Sequence, residues 1–421
     1  MLINTTIYDI NNTDFAQRLT ALLEPHANCT THHPQIQQDT NEVNLMRTPQ
    51  LIATLTLSAA ALAFAAQANA ESLRLAPGTP PAHPGHTPLF TSFQDQMAEK
   101  TGSRMTGSIL GTEVANLGNM RNAVTSGLAD AGMFLPAYFP ADLPEINLVG
   151  DLSFSGTNSQ AMGAAMTDYI VNCADCQDNL KNLGVVYTSS HASDLYQLLT
   201  TEPVSDVDDL QGLRLRAGNP QYSRWASSLG ASPSNTSVGE TFEAISQGIL
   251  DGTIASSADL ISFRLDDVIT HITTIRLGTY HSTISHAFGR NTWSRLSEAD
   301  RKMLAESSSL SSALATQRWA HEMPAEAEAL ARSEGIEFVQ PSQGLLDATA
   351  AFAEADMAQV IADAESRYGL ENVEAKLDQF TTLVDKWTAI AIELDNDPEA
   401  IAARVNDEVW ANVDFSTYGV Q

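Results

Sequence analysis

The chain has 421 residues, with 22 Lys+Arg against 51 Asp+Glu, a formal net charge of −29 and an ordinary hydrophobic fraction of 43%. That length favours two domains or more. A charge this negative repels phosphate, so nucleic acid and anionic membrane surfaces make poor partners, and an anionic ligand needs a local positive site of its own.

Residues 1–45 are polar and lack the patterning of a domain. Residues 46–70, "MRTPQLIATLTLSAAALAFAAQANA", have a Met-Arg start, a short apolar run and an Ala-Asn-Ala end. The run is short for a bilayer span and fits a cleaved secretory signal. The expectation is cleavage after Ala70 and release into the periplasm. Translation is then expected to start at Met46, with residues 1–45 a misassigned, disordered leader.

Beyond the signal, "SLRLAPG" alternates as a strand, "LFTSFQDQMAEKTG" is a helix stopped by glycine, and "RMTGSILG" is a second strand. "NLGNMRNAVTSGLADAGMFLP" adds a helix, a stop at Gly127 and a strand. This β-α-β-α-β succession implies a largely parallel sheet with helices packed on it. Strands are then expected at residues 183–190, in "ASDLYQLLT" and in "GLRLRAG". "NPQYSRWASSLGA" reads as a helix, "SPSNTS" as a linker, and "VGETFEAISQGILDGTIAS" as a helix, a stop at Gly248 and a strand. Two more strands follow in "TTIRLGTYHSTISHAFGR". Ser297 and Asp300 have capping-box spacing, and one long helix is expected from there to Pro324. "GIEFVQPS" is a late strand, and the chain from Leu345 on looks helical.

Two α/β lobes with several crossings suit a hinged binding protein. The expected domains are lobe I from residues 71–194 plus about 282–322, lobe II from 195–281 plus about 323–380, and a C-terminal helical extension over 381–421. Ligands in such folds lie beyond the carboxyl ends of strands, where helices begin. Arg216 stands at such an end in "GLRLRAGNP", and the amides of the following helix would add positive potential. Arg214 is on the same strand face and is a second candidate, with a structural or solvated role as its plainer reading. The plainer role for Arg216 is an ion pair with Asp208 or Asp209.

Cys173 and Cys176, in "NCADCQ", are the only cysteines after Ala70. In an exported protein they favour a local disulfide, with a redox motif or half a zinc site as alternatives. Nucleophile-elbow, zinc-protease, P-loop and dinucleotide-binding motifs do not occur, so a binding module is favoured over an enzyme. No cofactor or metal is expected.

The segment "DLQGLRLRAGNPQYSRWASSLGASP…VGETFEAISQGILDGTIAS" resembles the signature of the TRAP transporter solute-binding proteins, the dicarboxylate-binding (DctP-type) family. Gly212, Arg216, Gly230, Ala231, Pro233, Glu240, Ala244, Gly248, Asp251 and Gly252 carry it. "HPGH", "EKTGSRMTGSILG", "GLADAG" and "VNDEVWANVDFSTYG" fall in the expected order around it. The resemblance implies a two-lobed periplasmic-binding-protein-like α/β fold, with mixed sheets, hinge strands and a long helix spanning both lobes. It also implies capture of a small organic acid through Arg216 and delivery to membrane permease subunits. Service to a sensor or an ATP-driven permease, and an exported redox protein using Cys173 and Cys176, are the alternatives.

Some relatives have a second arginine where this chain has Tyr196, and an asparagine where it has Ala255. Phe134, Leu135 and Tyr138 stand where some have polar side chains. A second carboxylate is thus less well provided for, and a monocarboxylate with an apolar or aromatic body is expected. Trp225 could stack on ligand or pack in the core. His83 and His86, in the loop after the first strand, could reach the cleft. Glu240 is expected to brace the hinge or cap its helix, and Asp251-Gly252 to form a turn.

Overall fold

The computed structural model describes residues 71–420. The signal segment, its cleavage point and the leader lie outside the described residues. In chain order the strands are β1 (Glu71–Ala76), β2 (Met105–Ile109), β3 (Ala131–Phe134), β4 (Val185–Val186), β5 (Gln197–Thr200), β6 (Arg214–Ala217), β7 (Ser232–Ser234), β8 (Gly252–Ala255), β9 (His271–Thr273), β10 (Ile284–Gly289) and β11 (Glu337–Val339). They form two mixed sheets, ordered β2-β1-β3-β10-β4 and β11-β9-β5-β8-β6-β7. The β-α-β pattern at the start gives the parallel pairs β1–β2 and β1–β3, and β10 enters antiparallel to β3. In the second sheet β6 runs parallel to both β7 and β8. This is the two-lobed α/β architecture the sequence implies.

Three chain segments join the sheets. Residues 187–196 leave the first sheet for the second, and residues 274–283 return. They run side by side, with Ser193 N–H donating to Tyr280 O and Tyr196 N–H to Gly278 O, both at 2.9 Å, and Leu277 N–H to Tyr196 O at 3.0 Å. Gly278 has φ +79°, and a Cβ there would lie 1.9 Å from the Ser153 carbonyl oxygen, so only glycine fits this crossing.

The third segment is helical. Ser297 caps its start by accepting from Asp300 N–H at 3.1 Å, and the helix Glu298–Gln317 packs on the first lobe. The sequence expectation was an end at Pro324. The chain instead passes through a π turn, Arg318–Glu322, and continues as Met323–Glu334. A proline inside a helix removes one hydrogen bond and crowds the preceding turn, and the widened turn absorbs that. Beyond it, Ala327 and Ala331 belong to the second lobe's own core, with Leu199, Leu260, Leu265 and Ile272.

Other expectations shift too. Only Val185–Val186 of residues 183–190 pairs as a strand; the rest enters the crossover, where Thr188 Oγ1 donates to His286 O at 2.7 Å. The expected linker "SPSNTS" contributes the edge strand β7, where Pro233 lacks a donor that an edge does not require. Cys173 and Cys176 form a disulfide, with Cys173 closing the helix Ser159–Asn172 and capping the helix Ala174–Leu183.

Candidate ligand-binding site

Arg214 and Arg216 share a face of β6 and meet opposite fates. Arg214 is exposed. Its backbone N–H and Nε donate to Asp251 Oδ2 at 2.8 and 2.9 Å, and its Nη1 donates to Gly248 O at 2.7 Å. The hydrogen bond from Arg214, against burial, holds the Asp251 carboxyl below its ordinary range. Arg214 therefore braces the turn before β8 and, unlike Arg216, does not line the inner cavity described below, which fits its plainer structural reading.

Arg216 is 3% exposed. Its Nε donates to Thr236 O at 3.1 Å and its Nη2 to Tyr138 Oη at 3.2 Å. The suggested partners do not touch it: Asp209 instead accepts from the N–H groups of Ser205 and Asp206 at 2.8 and 2.9 Å. Among the described residues no carboxylate is in ion-pair contact with Arg216. Burial opposes its charge, but the Tyr138, Tyr196 and Tyr280 phenols and Asp259 outweigh this and hold its pKa above the ordinary arginine value. A buried cation without a paired anion is costly unless its donors are otherwise satisfied, as those of the buried Arg301 are by the Trp293, Phe415 and Ser294 carbonyls at 3.0, 3.0 and 3.1 Å.

Tyr138 comes from the first lobe. Its hydroxyl also accepts from Val238 N–H of the second lobe at 2.9 Å, so one phenol ties the lobes together over Arg216. Behind it lies a small cavity, about 370 Å³ of non-atom space including open solvent. Leu117, Met133, Leu135 and Val238 form its apolar wall, and Tyr196, Tyr280, Trp319 and His83 its aromatic wall. Tyr196 is sandwiched between Tyr222 and Tyr280, with ring centroids 5.3 and 5.7 Å away. His83 accepts from Gly85 N–H at 2.8 Å and packs on Trp319 at 4.9 Å, and burial pushes its pKa down to about 3.

Arg216, Tyr138, Tyr196, Leu135 and His83 thus come together as the sequence suggests. Trp225 and Ala255 do not. Trp225 is fully buried under the helix Gln343–Tyr368 and donates to Thr349 Oγ1 at 3.1 Å, so it is core. Ala255 is locked in β8 opposite Gln197 and does not line the cavity. His86 Nδ1 faces the Thr79 carbonyl at 3.2 Å, outside the cavity. Glu240 is exposed, and its side chain makes no cap bond on the helix it precedes. The helix amides expected to face ligand are occupied: Asn219 accepts from Tyr222 N–H at 3.1 Å, and Asp151 of the first lobe from Gln221 N–H at 2.7 Å.

Besides Leu117, Met133 and Val238 of the apolar wall, four polar or aromatic cavity residues escaped the sequence reading: His191, Tyr280, Trp319 and Asp259. The first two lie on the crossovers, which read as ordinary strands. Trp319 lies in the π turn, whose one signal is Pro324 in a helical pattern. Asp259 follows the polar run after Asp251-Gly252 and carries no pattern of its own.

A larger groove, about 1960 Å³ of non-atom space including open solvent, runs along the outside between Tyr138, the helix Pro220–Ser228 and the helix Gln343–Tyr368. Its half-buried cation, Arg224, is already neutralised by Asp151 at 2.7 Å and Asp356 at 2.6 Å. Size favours this groove; the unpaired charge favours the inner cavity, and an anion answers to charge.

Two α/β lobes closed over one buried, unpaired guanidinium define a solute-binding protein. The chain belongs to the DctP family, bacterial extracellular solute-binding protein family 7, whose model matches residues 75–363. That is a family of transport binding proteins, not an enzyme class. A TRAP periplasmic solute-binding protein from Bordetella bronchiseptica, solved with bound (R)- and (S)-mandelate, is 27% identical. Its TM-score is 0.65, over 75% of this chain and 99% of that one. A TRAP solute-binding protein from Rhodoferax ferrireducens T118, solved with copurified benzoate, shares the fold at 17% identity, with a TM-score of 0.68 over 76% of this chain and 99% of that one. A solute-binding protein from Albidiferax ferrireducens is 32% identical over 79 residues, which is 19% of this chain and 23% of that protein. The match thus spans about a quarter of that curated relative. Among the described residues no helix is long and apolar enough to cross a membrane.

Proposed function

We propose that the protein captures a small organic monocarboxylate with an aromatic or apolar body, in the periplasm, and delivers it to the membrane subunits of a TRAP transporter. The observation that carries this is Arg216: buried, charged and free of any ion pair among the described residues, at the end of an apolar and aromatic cavity. A guanidinium offers two parallel N–H donors that match one carboxylate, and bonds to charged groups contribute about 1.5–3 kcal/mol each. The absence of a second arginine at Tyr196 argues against a dicarboxylate. The mandelate bound by the Bordetella bronchiseptica relative is an acid of the proposed kind. Family membership supports export and transport, and the secretory pattern of residues 46–70 agrees.

A redox role for the cysteines finds no support, because Cys176 is fully buried beneath its own helix. A thermal-shift screen of small organic acids tests the proposal. Ligands that bind the folded form raise the melting temperature with concentration. Aryl and alkyl monocarboxylates should raise it, and dicarboxylates and uncharged analogues should not. A panel in which only dicarboxylates or sugars shift the transition would refute it.

A further inference from the structure

Within the cavity, four polar side chains other than Arg216 carry a buried atom without a hydrogen-bond partner among the described residues: His191 Nε2, Trp319 Nε1, Tyr280 Oη and Asp259 Oδ1. Each of these residues is at most 4% exposed. Buried polar atoms are nearly always partnered by protein, water or ligand, and these four, unlike the others scattered through the described residues, converge on one cavity, so its occupant must offer matching groups.

Their roles can be assigned. Ser312 donates to Ser285 at 2.7 Å, which leaves the Ser285 proton for His191 Nδ1, 2.9 Å away. Burial pushes the His191 pKa down to about 3, so the ring is neutral and its proton sits on Nε2, facing the cavity. The Trp319 indole can only donate. The tyrosine can do either. Asp259 is the one carboxyl on the wall and the natural acceptor. The site therefore combines N–H donors, the Arg216 cation and a single strong acceptor.

A plain aryl acid would satisfy the donors through its carboxylate and leave Asp259 unpartnered. An ammonium group would satisfy Asp259, but it cannot accept from an N–H and would share a closed cavity with Arg216. A hydroxyl does both: it donates to a carboxyl and accepts from an N–H. We propose that Asp259 is a specificity residue that accepts a hydroxyl of the ligand, so that the preferred ligand is a hydroxylated aromatic monocarboxylate held by Arg216 at its acid end. This rests on the carboxylate reading of Arg216 and adds the second polar group of the ligand.

The test is a calorimetric comparison at pH 8 of phenylacetate, its ring-hydroxylated isomers and mandelate, with Trp319 fluorescence as a second readout. In the wild-type protein at least one hydroxy acid should bind about tenfold or more tighter than phenylacetate, because a site built to bond a hydroxyl rejects the analogue lacking it. Asp259→Leu, which cannot accept, should shrink that preference to below about threefold. Asp259→Asn, nearly isosteric and a weaker acceptor, should fall between the two, and it decides the matter if the leucine variant does not fold. A wild-type protein with no preference for any hydroxy acid overturns the proposal. So does a preference that survives unchanged in the folded variants. Failure of every acid in the series to bind overturns the aromatic-acid reading itself, and this proposal with it.

Discussion

The inner cavity contains a buried arginine and the outer groove a half-buried one, and the two are differently satisfied. Arg224 in the groove bridges Asp151 of the first lobe and Asp356 of the helix Gln343–Tyr368, with Nη1 and Nε at 2.7 and 2.6 Å from their oxygens. Burial opposes its charge, and Asp356 and Asp151 outweigh that and hold its pKa above the ordinary arginine value. Arg216 in the cavity has a carbonyl and a phenol as direct partners and no anion in contact. The first arrangement holds elements together; the second, on the function proposed above, leaves a place for the ligand's carboxylate. Arg301 is also buried without a carboxylate partner, but its Nε, Nη1 and Nη2 donate to the Trp293, Phe415 and Ser294 carbonyls at 3.0, 3.0 and 3.1 Å, whereas Arg216 lines a cavity.

Substitutions at four positions can break or sharpen this contrast. Arg216→Ala removes two charge-assisted bonds and should cost about 3–6 kcal/mol of acid affinity by calorimetry, with Arg216→Lys losing at least about tenfold because the fork geometry is gone. Arg224→Ala leaves two buried carboxylates without their cation and should cost about 3–5 kcal/mol of stability in denaturant unfolding. Loss of acid affinity there with unchanged stability would exchange the roles assigned to the two arginines.

The third position reads the cavity through pH. Burial pushes the Asp259 pKa up to about 7, with Arg216 pulling the other way, and Asp194 and Tyr196 are the other titratable groups coupled to it. A raised carboxyl pKa means that the folded form binds more protons than the unfolded one, so stability falls as pH rises from the unfolded value near 4 to about 7 and then levels. Asp259→Asn does not titrate. Its melting temperature should gain on the wild type across that window by several degrees in ligand-free protein. A constant difference from pH 4 to pH 8 would mean that Asp259 is not buried as described. The smallest effect belongs to Arg214→Gln, which should leave acid affinity within about twofold, since only the turn at Asp251 loses its brace.

Much of this was legible in the residues, for physical reasons that also mark where legibility ends. The alternation of "GLRLRAG" gave β6 and its cation at the carboxyl end, and glycine stops gave the β-α-β order of the first sheet. Alternation cannot say which of two same-face arginines is buried. That is decided by Asp251, 37 residues from Arg214, which the fold brings to one end of the strand. The long helix was legible from its cap, but its passage through Pro324 was not, because a proline reads as a stop unless a widened turn such as Arg318–Glu322 absorbs it. His191 and Tyr280 were missed because they lie on crossovers whose partners are each other. Trp225 was ambiguous because an aromatic residue after a binding strand suits either core or cleft until the helix Gln343–Tyr368 is seen covering it.

The most direct measurement is a crystal structure of the protein with a bound aryl monocarboxylate. The account predicts both carboxylate oxygens on the Arg216 guanidinium, at about 2.7–2.9 Å, with the ring between Leu135 and Tyr196. An acid lodged in the outer groove near Arg224, with Arg216 untouched, would contradict it.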